Sequence, residues 1–364
     1  MTTSRQARAA AIFASLSLAA LGLSCSNDNA ATSNSAADTA DSVVATTAPA
    51  PELPTVVVTY SVLAAVVSDL VEGSANVVTL IPDGQDPHNF EPSAKDLETI
   101  NNAALVVANG LDLEEGLDDA LSNAQQAGVN VFYVADHVTV LDIVDVNDHS
   151  NHGHVHRGAD ASHSDDDHGD EHGDEDGDEH SDEDDDEHSD EDGDEHDHSQ
   201  DPHVWLSPHT VREALPALAK AASDALNVDL AAAQLALDNE LAALDTELLS
   251  LFSAIDNCQL VTGHNELGYF VDRYGCTVVA AIISSTSTNA EASARNTEFV
   301  IDVIKTHSAK VIFTSLGTNP KTAEQVAREA DAQLVTISTH FLGTSNDYVA
   351  FMRTLGTTIA TSLS

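Results

Sequence analysis

Thr55-Val56-Val57-Val58-Thr59-Tyr60 and, after a helical interval over residues 61–71, Val77-Val78-Thr79-Leu80-Ile81 decide how this chain folds. A β-branched run that is apolar on both faces reads as a buried parallel strand, because a strand with one face in water would alternate. Outward from that pair, strands are expected at 105–109 and 130–135, with helices from about Ser93 and over 113–127. Ser93 followed by Asp96 gives the first of these helices a capping-box start. The second half repeats the alternation, with strands at 260–262, 277–283, 311–314 and 334–337 and helices over 267–273, 290–306 and 321–331. Such alternation implies mostly parallel sheets covered by helices on both faces.

Between the two halves, residues 229–254 form one long helical segment. Leu237, Leu241, Leu244, Leu248, Leu251 and Ile255 recur at steps of four and three and make a single apolar seam. The fold expected is therefore α/β: two lobes with mostly parallel sheets joined by a long rigid helix. The boundaries are an N-terminal lobe at 54–147 and 201–228, a linking helix at 229–255 and a C-terminal lobe at 256–364.

Apolar residues make up 42% of the 364 residues but aromatics only 4%, so the cores are built mainly from Ala, Val, Leu and Ile. Sixty-one acidic against 13 basic residues give a formal charge of −48. Nucleic-acid phosphates and anionic membrane surfaces would repel such a chain, and cations are its natural partners. About half of that charge lies in residues 148–200, where 24 Asp and Glu meet one basic residue, Arg157. The same stretch holds 11 of the 18 histidines, and Asp-Glu-His recurs at 170–172, 178–180, 186–188 and 194–196. With no recurring apolar residue it cannot build a core, and disorder is expected in the absence of metal. Two readings stand: a flexible array of weak, exchangeable metal sites, favoured by the regular interleaving of imidazole and carboxylate, or a solvated acidic linker.

At the N-terminus, Arg5 and Arg8 precede an apolar run over 9–23. This pattern is an export signal, 1–24, and is shorter than the roughly 20 residues a membrane span needs. Cys25 follows directly, then a polar tether over 25–53. The junction resembles a bacterial lipoprotein signal with Cys25 as the lipidated residue, although Gly22 stands where such signals usually carry Leu. The alternative is an ordinary cleaved signal with an incidental Cys, leaving the protein soluble outside the cytoplasm. Cys258 and Cys276 remain as a pair that an oxidising compartment would favour bridging; two buried thiols are the other reading.

Seven histidines lie outside the insert: His88, His137, His203, His209, His264, His307 and His340. His88 stands in Asp86-Pro87-His88 just after an expected strand, His203 in Asp201-Pro202-His203-Val204-Trp205, and His264 in Gly263-His264-Asn265-Glu266 at a strand's end. Ligands of open α/β sheets bind at the carboxyl ends of strands. Neutral imidazoles there suit Zn²⁺, and Asp86, Asp201 and Glu266 are placed to hold their second ring nitrogens. His137, His209 and His307 have no such setting and read as ordinary surface or core residues.

The segments 86–97, 105–110, 201–206 and 263–270, in this order, resemble the zinc/manganese-binding subgroup of ABC-transporter substrate-binding proteins over about residues 55–355. The resemblance implies two α/β lobes around a rigid helix, with the metal in the interlobe cleft, and places His88, His203 and His264 at ligand positions. An imidazole at His264 favours zinc over manganese, since manganese members often carry a carboxylate there. Where the family usually has an Asp, two residues before a Leu-Gly pair, this chain has His340; either it is a fourth ligand or a water completes the shell. The family's frequent Glu after a late-strand Phe is replaced at Phe313-Thr314-Ser315, which puts a contribution from there in doubt. The function implied is a non-enzymatic, monomeric zinc-binding subunit of an importer, tethered through lipid on Cys25 to the outer face of the cytoplasmic membrane, that delivers Zn²⁺ to a permease. The alternatives are an extracytoplasmic zinc buffer or a manganese-binding member and, less favoured because no His-Glu-x-x-His base motif is present, a zinc hydrolase.

Overall fold

The computed structural model describes residues 52–147 and 200–364, apart from 145, 289, 291, 316, 317, 344 and 346. The export signal, Cys25, most of the tether and the acidic insert up to residue 199 lie outside the described residues.

The first sheet consists of β1 (Thr55–Tyr60), β2 (Asn76–Ile81), β3 (Leu105–Ala108) and β4 (Val131–Tyr133), all parallel in the order β2-β1-β3-β4. The second consists of β5 (Gln259–His264), β6 (Thr277–Ile283), β7 (Val311–Thr314) and β8 (Gln333–Thr336), also parallel, in the order β6-β5-β7-β8. Both lobes thus wind outward in both directions from their first strand, which opens a crevice at the strands' carboxyl ends. Val56, Val57 and Val58 on β1 are fully buried, as an unbroken apolar run requires of a central strand.

The helices are α1 (Ser61–Leu70), α2 (Ala94–Asn101), α3 (Asp118–Gln126), α4 (Pro208–Leu226), α5 (Ala231–Phe252), α6 (Gly268–Tyr274), α7 (Ala294–His307), α8 (Pro320–Ala330) and α9 (Tyr348–Leu363). α2 begins in a complete capping box between Ser93 and Asp96. The helix expected over 113–127 is instead a 3₁₀ turn, Glu115–Leu117, followed by α3. Gly116 lies so close to the Phe90 carbonyl that a β-carbon would collide with it. The expected strand at 130–135 ends at Tyr133 and runs into a 3₁₀ turn, Val134–His137.

α5 is the linking helix, about 33 Å long at 1.5 Å per residue. Leu237, Leu241, Leu244 and Leu248 of the seam are buried, with Phe252 extending it. Three arginines from three other helices fasten its polar positions: Arg212 of α4 to Asp238 (2.8 Å), Arg273 of α6 to Asp245 (2.9 Å) and Arg353 of α9 to Glu247 (2.8 Å). Asp245 is buried, so its pair with Arg273 matters more than the exposed Arg353 pair. α9 packs on α5, α1 and β7 and so ties the end of the chain back to both lobes. Cys258 and Cys276 are disulfide-bonded, joining the entries to β5 and β6. Among the described residues no helix is long and apolar enough to cross a membrane.

Candidate metal centre

His88, His203 and His264, singled out by their sequence setting, and His340, reached through the resemblance, each emerge from a different chain segment. His88 sits in a 3₁₀ turn, Pro87–Asn89, at the exit of β2, where the Asp86 carboxylate accepts its backbone N–H at 3.2 Å. His203 precedes the turn Val204–Leu206; Asp201 Oδ1 accepts both its backbone N–H (3.0 Å) and its ring Nδ1–H (2.7 Å). Asn109 Nδ2, at the end of β3, holds the preceding Pro202 carbonyl at 2.8 Å. Gly268 is the residue that admits Asp201, since a β-carbon there would overlap the carboxylate. His264 ends β5 and gives Nε2–H to the Thr286 carbonyl at 2.8 Å. His340 follows β8 in a loop pinned by Trp205, whose Nε1–H donates to the Thr339 carbonyl at 2.6 Å.

These segments bring the four rings together. His88, His203, His264 and His340 are all buried. Their six ring-centroid separations run only from 5.1 to 5.9 Å. Six near-equal edges make a near-regular tetrahedron. Its centre lies about 3.4 Å from each ring, close to the roughly 3.2 Å expected for imidazoles coordinating Zn²⁺ at 2.0–2.1 Å. Glu266 enters the same cluster: its Oε2 is 3.3 Å from His264 Nδ1 and 3.3 Å from His340 Nδ1, while Oε1 accepts the Ser315 hydroxyl at 2.5 Å. Donor atoms of His203, His264, Glu266 and His340 all fall within 4.8 Å of one another.

His203 Nε2, His340 Nε2, His264 Nδ1 and Glu266 Oε2 are buried and make no hydrogen bond. Buried polar atoms are normally satisfied, and a concentration of exceptions at one point marks a place built for an ion. Protonation agrees. Burial lowers the pKa of His88, and the neighbouring His203, His340 and His264 lower it further. Burial likewise lowers His340, to about 4, against the pull of Glu266. Both rings are therefore neutral at pH 7. Burial also opposes charge on His264, but the Glu266 carboxylate and the Thr286 carbonyl outweigh it and raise the pKa. Glu266 is held down to about 2, burial being overcome by His264 and then by His340 and His203.

Asp201 orients an imidazole ring as its position suggested. Asp86 takes a different part: it holds the His88 backbone and, across the cleft, accepts the Thr288 hydroxyl at 2.7 Å. Glu266 stands inside the cluster rather than behind it. Ser315 donates its hydroxyl to Glu266. The remaining histidines among the described residues are elsewhere, His137 stacked on Phe132, His209 beside Glu213 and His307 beside Gln259. Asn109 is a supporting residue the sequence reading did not single out; its sole signal was its place in the quoted run 105–110. A cavity of about 30 Å³, room for one water or ion, lies at the cluster's edge and is lined by His88, Asp112, Gln200, Pro202 and Ser287.

Two parallel α/β lobes meeting over a buried cage of imidazoles define a two-lobed metal-binding protein. A family model described as "Zinc-uptake complex component A periplasmic" matches residues 56–362, and the chain belongs to that family of transport components. It is 28% identical over 293 residues to a protein of Treponema pallidum (strain Nichols) named for metal binding, covering 78% of each chain. It is 25% identical over 273 residues to the zinc-binding protein AdcA of Streptococcus pyogenes serotype M3, covering 74% of this chain and 47% of AdcA. The chain thus spans about half the length of AdcA. Among solved structures, the periplasmic zinc binding protein TroA of Treponema pallidum superposes with a TM-score of 0.63 at 20% identity, covering 86% of this chain and 99% of TroA. That likeness shows the fold.

Proposed function

We propose that this protein captures Zn²⁺ outside the cytoplasm and hands it to a membrane permease. The observation that carries the reading is the near-tetrahedral arrangement of the buried His88, His203, His264 and His340 rings, two from each lobe, with donor atoms of His203, His264, His340 and Glu266 converging within 4.8 Å of one another. Zn²⁺ is matched by four nitrogen donors in tetrahedral array, whereas Mn²⁺ favours six harder oxygen-rich ligands. Four protein donors leave no open position for a reacting water, which disfavours a hydrolase. A site shared between lobes suits capture and release, because separating the lobes dismantles the donor set without unfolding either one.

In this reading the His/Asp/Glu-rich insert collects ions near the cleft, and its last residue, Gln200, lines the cavity beside His88. Lipid on Cys25 keeps the protein at the membrane. The disulfide fits an oxidising compartment. The test is zinc titration by calorimetry with a competing chelator, on the full chain, on His203→Ala and His264→Ala, and on a form lacking residues 149–198. One tight site lost with either histidine and kept without the insert supports delivery. Tight binding that follows the insert and ignores both histidines would make the protein a buffer.

A further inference from the structure

The four imidazoles of the cage are neutral ligands when they bind a metal, and neutral imidazoles do not by themselves distinguish a divalent from a monovalent ion. Two buried carboxylates surround them. Asp201, 4% exposed, is spent on the Nδ1–H and backbone N–H of His203. Glu266, 1% exposed, has one oxygen on Ser315 and the other among the donor atoms. Among the described residues no Lys or Arg pairs with either; their ion-pair contacts are with the cage histidines alone. An uncompensated buried carboxylate is costly, and once the cage imidazoles are neutral ligands the bound ion is what compensates these two. A bound divalent ion balances the two carboxylates, whereas a monovalent ion leaves one negative charge uncompensated in a dry interior.

Resting on the capture reading above, we infer that Glu266 is the specificity-determining charge of the site: its carboxylate selects a divalent cargo over monovalent ions such as Cu⁺ that favour the same imidazole donors. Coulomb attraction scales with the charge of the ion, so what Glu266 contributes to M²⁺ is about twice, in free energy, what it contributes to M⁺. On an affinity scale the second effect is the square root of the first.

The experiment compares the full chain with Glu266→Gln, which keeps the shape and the bond from Ser315, and with Glu266→Asp, which keeps the charge on a shorter arm. Zn²⁺ affinity is read against a competing chelator and Cu⁺ affinity anaerobically against bicinchoninate, with near-UV circular dichroism of the metal-free proteins as the control for folding. Glu266→Gln is expected to weaken Zn²⁺ about a hundredfold and Cu⁺ about tenfold. Glu266→Asp weakens both ions while retaining the wild-type preference for Zn²⁺. Equal losses for the two ions in Glu266→Gln, no loss at all, or loss of the preference in Glu266→Asp would each overturn the assignment. If wild type binds Zn²⁺ no better than His203→Ala, the capture reading fails and takes this inference with it. A wild-type site that is tight yet indifferent to Glu266→Gln sinks the inference alone.

Discussion

The two lobes supply two histidines each and hold them by different means. In the N-lobe, Asp86 fixes the turn of His88 and Asp201 fixes the ring of His203, each carboxylate lying two residues before its histidine. Behind them Asn109 ties Pro202 to β3, and Glu114 in turn accepts the Asn109 backbone N–H at 2.9 Å and the Thr59 hydroxyl at 2.5 Å. In the C-lobe, His264 and His340 share one carboxylate, Glu266, and the His340 loop is held from the other lobe, by Trp205 and by Asp83. The N-lobe half is held by side chains of its own lobe, whereas the His340 loop of the C-lobe half depends on bonds from the other lobe. An ion is therefore expected to meet the N-lobe pair first and to leave by loosening of the C-lobe pair.

The comparison breaks most simply at the histidines themselves. His203→Ala removes a central donor and strands the buried Asp201, and is expected to weaken Zn²⁺ by about a thousandfold. His340→Ala leaves a corner that water can fill, at an expected loss of about tenfold to a hundredfold. Competition titration of both variants decides the matter: equal losses would mean the two halves are equivalent.

The N-lobe support has its own signature, in pH. Burial pushes Glu114 up to about 7 from an ordinary 4.5, only partly offset by the hydrogen bonds from Thr59 and Asn109. The folded protein then keeps a proton that the unfolded chain has released. Stability from this group is full below about pH 4.5 and is lost as pH rises to about 7, a change on the order of 3 kcal/mol for a fully buried group. Urea unfolding of the metal-free protein at pH 5 and pH 8 should show that much less change in Glu114→Gln. Identical pH dependence in the two proteins would mean that Glu114 ionises freely. The shared ring contacts sharpen the contrast at a smaller scale: Asp201→Asn, which keeps the shape but weakens the hold on His203 Nδ1, is expected to cost about ten- to a hundredfold in zinc affinity by the same titration. An unchanged affinity would remove the carboxylate from the account.

Much of this was legible in the chain. The valine runs announced central parallel strands because a strand covered on both faces has no reason to alternate, and the leucine steps of α5 announced its buried seam. His88, His203 and His264 were legible through their Pro and Gly neighbours, which mark rigid turns at strand ends, whereas His340 was reached only through the family resemblance. Glu266 was visible as a residue but not as a member of the cage. Its membership depends on the His340 loop, which follows β8, meeting the exit of β5 two strands away, and no local pattern records that. α4 was hidden for a different reason: Pro216 lies inside it and argues against a helix, yet burial of Leu215, Leu218 and Ala219 carries the helix through. The three arginine pairs on α5 join residues 26, 28 and 106 positions apart and left no trace in spacing.

The smallest expected effect tests the direction of release. Asp83 follows β2 in the N-lobe and reaches across to the loop of His340, where its two oxygens accept the backbone N–H groups of Leu342 (2.7 Å) and Gly343 (3.0 Å). Gly343 has φ +64°, the left-handed turn that points successive N–H groups at one anion. Ser61 steadies the carboxylate from behind at 2.7 Å. Asp83 is exposed, so water competes for these bonds and their net worth is small. It touches no cage atom, which separates closure from coordination. Asp83→Ala should therefore leave the visible spectrum of bound Co²⁺ unchanged while speeding metal release to an excess chelator about five- to tenfold. Stopped-flow chelation measures that rate. Unchanged release would place the opening step elsewhere, and an altered cobalt spectrum would mean that Asp83 shapes the site itself rather than the clasp that keeps it shut.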